Sequence, residues 1–215
     1  MGFGWRAPQL MREVVRQRER PVRIGGVMTL SRAVLLFVGL IGPVGARAQV
    51  PAVNTYRSDS LHFTVRYPAS WHRTPPERAG VLDIINFPWS HRVHGVFLPR
   101  SGASLLTVAA PDSVSTIDDW ARVDEAWMAR DSASVKNLRR RDLTVSRPQA
   151  GGCAKLMEVQ YDSEQGPGAY SHETQYYCAA HGRLFRVWLS NWVGNPSQSQ
   201  LQAAALKVAR SLRSW

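Results

Sequence analysis

The chain has 215 residues, with 27 Lys+Arg against 16 Asp+Glu, 44% hydrophobic residues, two cysteines and eight tryptophans. That length holds one domain or two small ones, and the apolar content is that of a packed protein, not of a disordered chain, a collagen, a disulfide-dense miniprotein or a polytopic membrane protein. The net charge of +11 is unevenly placed: residues 1–48 carry eight Arg against two Glu, while the rest carry 19 basic and 14 acidic residues. The remainder is an ordinary soluble surface, so the charge does not indicate nucleic acid as a partner.

The first fifty residues read as an address. Within SRAVLLFVGLIGPVGARAQV, Arg32 supplies a positive start and Ala33 to Ile41 an apolar run; Pro43 and Gly45 end any helix. Ala46-Arg47-Ala48 then places small residues where a signal peptidase reads. The run is shorter than the roughly 20 apolar residues a membrane span needs. Residues 28–48 are therefore expected to be a Sec-type signal peptide, cut after Ala48, leaving a periplasmic or extracellular protein with no transmembrane anchor. No cysteine near the cut offers a lipidation site, and no Arg-Arg pair precedes the apolar run. Residues 1–27 are Arg-rich and aperiodic; Met28 is read as the true start, and a real basic extension from Met1 is the alternative. Residues 49–215 are expected to form one α+β domain.

In chain order, Leu61–Tyr67 alternates apolar and polar residues and is stopped by Pro68, as a half-buried strand would be. Val81–Phe87 and Ala103–Ala110 are the next two strands, each ended by a proline. The stretch between them is a proline-bounded loop with a short strand at 96–98. Thr116 opens a helix: its hydroxyl can cap the N-terminus, with Asp119 in the capping-box position and Asp118 beside it. Ile117, Trp120, Val123, Ala126 and Trp127 make its apolar stripe.

Four further strands are expected at Leu143–Ser146, Cys153–Tyr161, Tyr170–Ala179 and Leu184–Trp192. Asn195-Pro196 then starts a last helix, buried through Leu201, Ala204, Ala205, Val208 and Leu212. The order βββαββββα points to an antiparallel β-sheet flanked by helices. Cys153 and Cys178 are symmetric about Gln165-Gly166-Pro167-Gly168, the evident turn. A hairpin centred there sets Cys153 opposite Cys178, Met157 opposite Thr174 and Tyr161 opposite Tyr170. Opposed Cα atoms lie about 4.5–5.5 Å apart, within disulfide reach. With an exported, oxidising setting, a structural Cys153–Cys178 disulfide is expected.

Reactive chemistry is sparse. His91 and His94 form H-x-x-H, and with Asp83 they define the alternative reading, a metal-dependent hydrolase; a zinc site usually takes three protein ligands, and no HExxH or Cys/His cluster accompanies them. There is no G-x-S-x-G elbow, S-x-x-K or phosphate loop. No cofactor or metal is implied, and His62, His72, His172 and His181 receive no role. The loop carrying Trp89, His91, Arg92, His94 and Arg100 is the candidate binding surface, because an aromatic and several polar groups sit among rigidifying prolines. Arg139, Arg140 and Arg141 are a secondary basic cluster beside a helix end, suited to a phosphate, an acidic lipid or a partner.

The opening SDSLHFTVRYPASWHRT, with Tyr67 and Pro68 followed by Trp71, resembles the start of PsbP-like domains, and the terminal LQAAALKVARSLRSW is similar to their last helix. The resemblance extends over 55–215. It implies an αβα sandwich, a scaffold shared by photosystem accessory proteins, Ran-binding proteins and bacterial secreted or lipid-anchored proteins, and a non-enzymatic binding or accessory role in the cell envelope, with an envelope protein or small ligand as partner. The lipid-anchor cysteine of many bacterial relatives is missing, and no calcium or manganese ligand set carries over.

Overall fold

The computed structural model describes residues 52–74, 80–88, 99–130, 134–146 and 148–215. The segment 1–27, the signal sequence with its Ala48 site, and the 89–98 loop with its expected strand lie outside the described residues.

The strands are β1 (Val53–Ser58), β2 (Phe63–Pro68), β3 (His72–Arg73), β4 (Leu82–Ile85), β5 (Ala103–Ala109), β6 (Val135–Leu143), β7 (Cys153–Gly166), β8 (Ala169–Ala180), β9 (Arg183–Trp192) and β10 (Arg213–Ser214). Helix α1 (Ile117–Arg130) lies between β5 and β6, and α2 (Gln198–Ser211) between β9 and β10. Seven strands form one antiparallel sheet in the order β3-β4-β5-β9-β8-β7-β6, and β1-β2-β10 form a second.

Period-two alternation along β7 and β8 divides their side chains between two cores. Leu156, Tyr176 and Cys178 face α2 and the small sheet, packing with Phe63, Phe185 and Leu201. Met157, Val159, Tyr161 and Tyr177 face α1, packing with Ile117, Trp120 and Met128. One helix thus covers each face of the large sheet, the sandwich implied by the sequence. Phe63 is fully buried with its ring 5.1 Å from that of Phe185; such burial stabilises by about 1.5–3 kcal/mol per side chain. Tyr67 and Trp71 are both core residues, and the Trp71 N–H bonds the Pro68 carbonyl at 3.0 Å, which explains the spacing of that motif.

Several elements differ from expectation. β1, β3 and β10 extend the strand count. β1 reads VNTYRS and buries little, so it has no apolar alternation to find. The strand expected at Leu143–Ser146 is β6, at Val135–Leu143: an edge strand whose interior is exposed. The stripe on α1 is rotated, with Ile117, Trp120, Ala121 and Met128 buried but Val123 and Trp127 exposed. The Thr116 cap is present: its hydroxyl accepts the Asp119 N–H at 3.0 Å. Helix α2 starts two residues late, because Asn195 Oδ1 accepts the Ser197 N–H at 2.9 Å in a turn before the helix. It ends at Ser211, and Leu212 is extended, feeding β10.

The β7–β8 register is also shifted. Tyr161 pairs with Glu173 and Met157 with Tyr177. The turn is Pro167-Gly168, where Gly168 at φ +74° supplies the left-handed position a Pro-Gly turn requires. The β8–β9 turn, His181-Gly182, has both residues at positive φ, the geometry that suits a two-residue hairpin.

Candidate functional site

Of the expected binding loop, Trp89, His91, Arg92 and His94 lie outside the described residues; Arg100 is exposed in a turn in which the Gly102 N–H bonds the Pro99 carbonyl at 2.7 Å. Asp83 is on β4 opposite Leu106. Among the described residues, no three His, Cys, Asp or Glu side chains converge as a metal would need.

Arg139, Arg140 and Arg141 lie on β6, so alternation separates them. Arg140 bonds Asp118 at 2.5 Å on the α1 side, where Lys155 also reaches Asp118 at 2.6 Å; the Lys155 bond chiefly holds the Asp118 carboxyl below its ordinary range. Arg141 bonds the buried Glu158 at 2.5 Å on the α2 side.

The α1 face of β8 and β9 carries a polar network with no sequence signature. Glu173 is buried; its Oε1 accepts the Ser171 and Ser190 hydroxyls at 2.5 and 2.9 Å, and its Oε2 accepts the Trp188 indole N–H at 2.7 Å. Burial pushes its carboxyl above the ordinary range, and those three bonds oppose the rise. Farther along, the Tyr177 hydroxyl donates to Asp124 Oδ2 at 2.7 Å, and Arg186 pairs with the same oxygen. The Arg186 guanidinium lies 5.0 Å from the Trp120 ring and 5.4 Å from the Trp188 ring. These groups engage one another and join α1 to the sheet.

On the opposite face, His172 Nδ1 is 2.7 Å from Asp162 Oδ1, and Asn137 donates to Asp162 Oδ2 at 2.7 Å. Gln202 Nε2 donates to His172 Nε2 at 3.0 Å, which places the ring proton on Nδ1, facing Asp162. An acid–histidine pair is hydrolase equipment, but the group at Nε2 is an amide, with no nucleophile to activate.

An open concavity lies at the end of α2. The Cys153–Cys178 disulfide, with Cα atoms 5.4 Å apart, contributes Cys153 to its floor beside Gly152 and Leu156. Thr144, Ser146, Gln149, Arg210 and Arg213 also line the concavity, around about 260 Å³. Arg213 Nη1 donates to the carbonyls of Arg210 and Leu212 at 2.9 and 2.7 Å, and its Nη2 donates to the Gln149 amide oxygen. All three acceptors are neutral. Burial first, and the nearby charge of Arg66 second, pull the Arg213 pKa below the ordinary arginine range. The sequence does not disclose this cleft because it joins two distant segments, 144–156 and 210–213; the one local signal is the terminal Arg210 and Arg213.

No protein-family model matches the chain, and no curated protein matches its sequence. Among solved structures, it is similar to cyanobacterial PsbP from Synechocystis, at 15% identity and a TM-score of 0.47, covering 83% of this chain and 99% of that one. It is also similar to the Saccharomyces cerevisiae Ran-binding protein Mog1p, at 9% identity and a TM-score of 0.44, covering 76% and 96% of the two chains. LpqN of Mycobacterium tuberculosis, described as involved in cell envelope biogenesis, matches at 12% identity and a TM-score of 0.40, covering 78% and 86%.

Proposed function

We propose that the chain is an exported, non-enzymatic binding or accessory protein of the cell envelope, acting on a small ligand or an envelope protein. One observation carries the reading: a disulfide, which persists in oxidising compartments, floors an open cleft whose Arg213 is held by neutral acceptors alone. An arginine kept half-buried without an internal counter-charge is suited to a charge brought from outside. The Trp89–Arg100 loop is the second contact surface of this reading, on the strength of its sequence alone.

The test is fractionation of cells expressing the full chain, with mass spectrometry and in-cell crosslinking. The expected result is oxidised protein beginning at Gln49, outside the cytoplasm, crosslinked to an envelope component. Uncleaved protein held in the cytoplasm with both thiols alkylatable overturns export. Substrate turnover lost on replacing His91 and His94 overturns the non-enzymatic reading.

A further inference from the structure

We propose that the cleft at the end of α2 binds a phosphate-type oxyanion, carried on a small molecule or on a lipid headgroup. The inference rests on the binding reading above and names the chemistry it serves.

The charge balance is the first observation. Five of the described arginines are paired with carboxylates, Arg57 with Asp59, Arg122 with Asp119, Arg140 with Asp118, Arg141 with Glu158 and Arg186 with Asp124, while Arg100, Arg130, Arg139 and Arg183 are exposed and carry no such pair among the described residues. Arg66, Arg210 and Arg213 have no carboxylate within ion-pair distance among the described residues. Arg213 is close enough to Arg66 for their repulsion to be felt. A cation cluster with no internal anion is destabilising, and a bound anion relieves it.

The donor geometry is the second. A guanidinium has five N–H donors, and Arg213 spends three of them on the Arg210, Leu212 and Gln149 oxygens. Those bonds fix the guanidinium plane, so the remaining donors are positioned before any ligand arrives. Arg210 is exposed, and its guanidinium is free of bonds among the described residues. Thr144 and Ser146, two hydroxyl residues, line the same space. A planar carboxylate satisfies one guanidinium fork, whereas a tetrahedral oxyanion has enough oxygens for both forks and the hydroxyls. The disulfide and Leu156 beneath give the space a rigid apolar floor, and about 260 Å³ holds the anion with a small organic body.

The experiment measures binding of inorganic pyrophosphate by calorimetry, and of phosphatidylglycerol against phosphatidylcholine vesicles by sedimentation, to the oxidised protein at low salt. The expected result is binding in at least one arm, weakened at least about tenfold by Arg210→Gln, eliminated by Arg210→Glu, and weakening steeply with salt. Arg122→Gln, which removes the same charge from the opposite face, should leave binding within twofold. Pyrophosphate binding identifies a soluble phosphorylated ligand; binding confined to phosphatidylglycerol vesicles identifies a headgroup. No binding in either arm, binding indifferent to Arg210, or equal loss from Arg122→Gln overturns the proposal. These outcomes are independent of export and crosslinking, so the cleft can fail while the broader reading stands, and the reverse.

Discussion

Cys153 and Cys178 are joined across a diagonal of the β7–β8 ladder: Cys153 pairs with Ala180, and Cys178 pairs with Leu156. Diagonal neighbours on one sheet face ordinarily stand about 7–8 Å apart, too far for a disulfide. The register shift between Cys153 and Lys155 leaves Ala154 as an extra residue, and the Cα atoms approach to 5.4 Å. The bond spans 25 positions, and restricting the unfolded chain over a loop of that length contributes about 3.5 kcal/mol. Denaturant unfolding of Cys153→Ala/Cys178→Ala should show a loss of that order, with β7 and β8 still paired. An unchanged midpoint would mean that the cross-link constrains nothing the fold does not already constrain.

How far the sequence could be read follows from what each residue faces. Strands between two cores, such as β5 and β9, announce themselves by alternation. The edge strand β6 does not, because water lies along it and VKNLRRRDL has no apolar rhythm. Helix α1 was misaligned by one residue in particular: the buried stripe runs through Ile117, Trp120, Ala121 and Met128 with half-buried Asp124 between them, and that carboxylate answers Tyr177 and Arg186 rather than a hydrophobic neighbour. The apolar pattern therefore drifts onto Val123 and Trp127, which are exposed. Beyond its terminal Arg210 and Arg213 the cleft has no signature, since the 144–156 segment and Arg213 meet only through the fold.

Gly151 and Gly168 both have positive φ, at +70° and +74°, yet their surroundings differ. A Cβ on Gly168 would meet nothing within 4 Å, whereas one on Gly151 would lie 2.4 Å from the Ser214 carbonyl oxygen. Gly168→Ala should cost only the backbone conformation, about 1–2 kcal/mol. Gly151→Ala should cost more and release β10, because the Ser214 N–H bonds the Gly151 carbonyl at 2.8 Å. Hydrogen exchange at the Ser214 amide checks this: it should accelerate in Gly151→Ala alone. Equal exchange in both variants would show that β10 is held from elsewhere.

Burial raises the Glu173 carboxyl above its ordinary value of 4.5. A group whose folded pKa is raised binds its proton more tightly in the native state, so its contribution is complete below pH 4.5 and is lost as pH climbs through the folded value. Glu173→Gln removes that titration while keeping the bonds: the amide oxygen accepts the Trp188 N–H, and the amide NH₂ donates to the Ser171 and Ser190 hydroxyls, which can accept. Relative to this variant, the natural protein should lose stability as pH rises above 4.5, with a slope of at most about 1.4 kcal/mol per pH unit. A flat difference between the two curves would assign the proton elsewhere.

Asp124 balances Arg186, whose guanidinium is flanked by Trp120 and Trp188 and whose Nε has no partner among the described residues. The side chains of Arg186 and Asp124 are only 16% and 20% exposed, so neither charge is well solvated. Removing one partner strands the other, a loss that reaches about 3–5 kcal/mol for fully buried pairs and should be smaller here. Asp124→Ala should therefore destabilise the protein by about 2–3 kcal/mol, and it also removes the Tyr177 acceptor. Arg186→Met in that background deletes the stranded cation and keeps an unbranched apolar stem between the two indoles. The double variant should be more stable than Asp124→Ala alone, a non-additivity that a double-mutant cycle reads directly. Additive losses would mean that Asp124 acts through Tyr177 and the helix, and that the Arg186 charge is met by solvent.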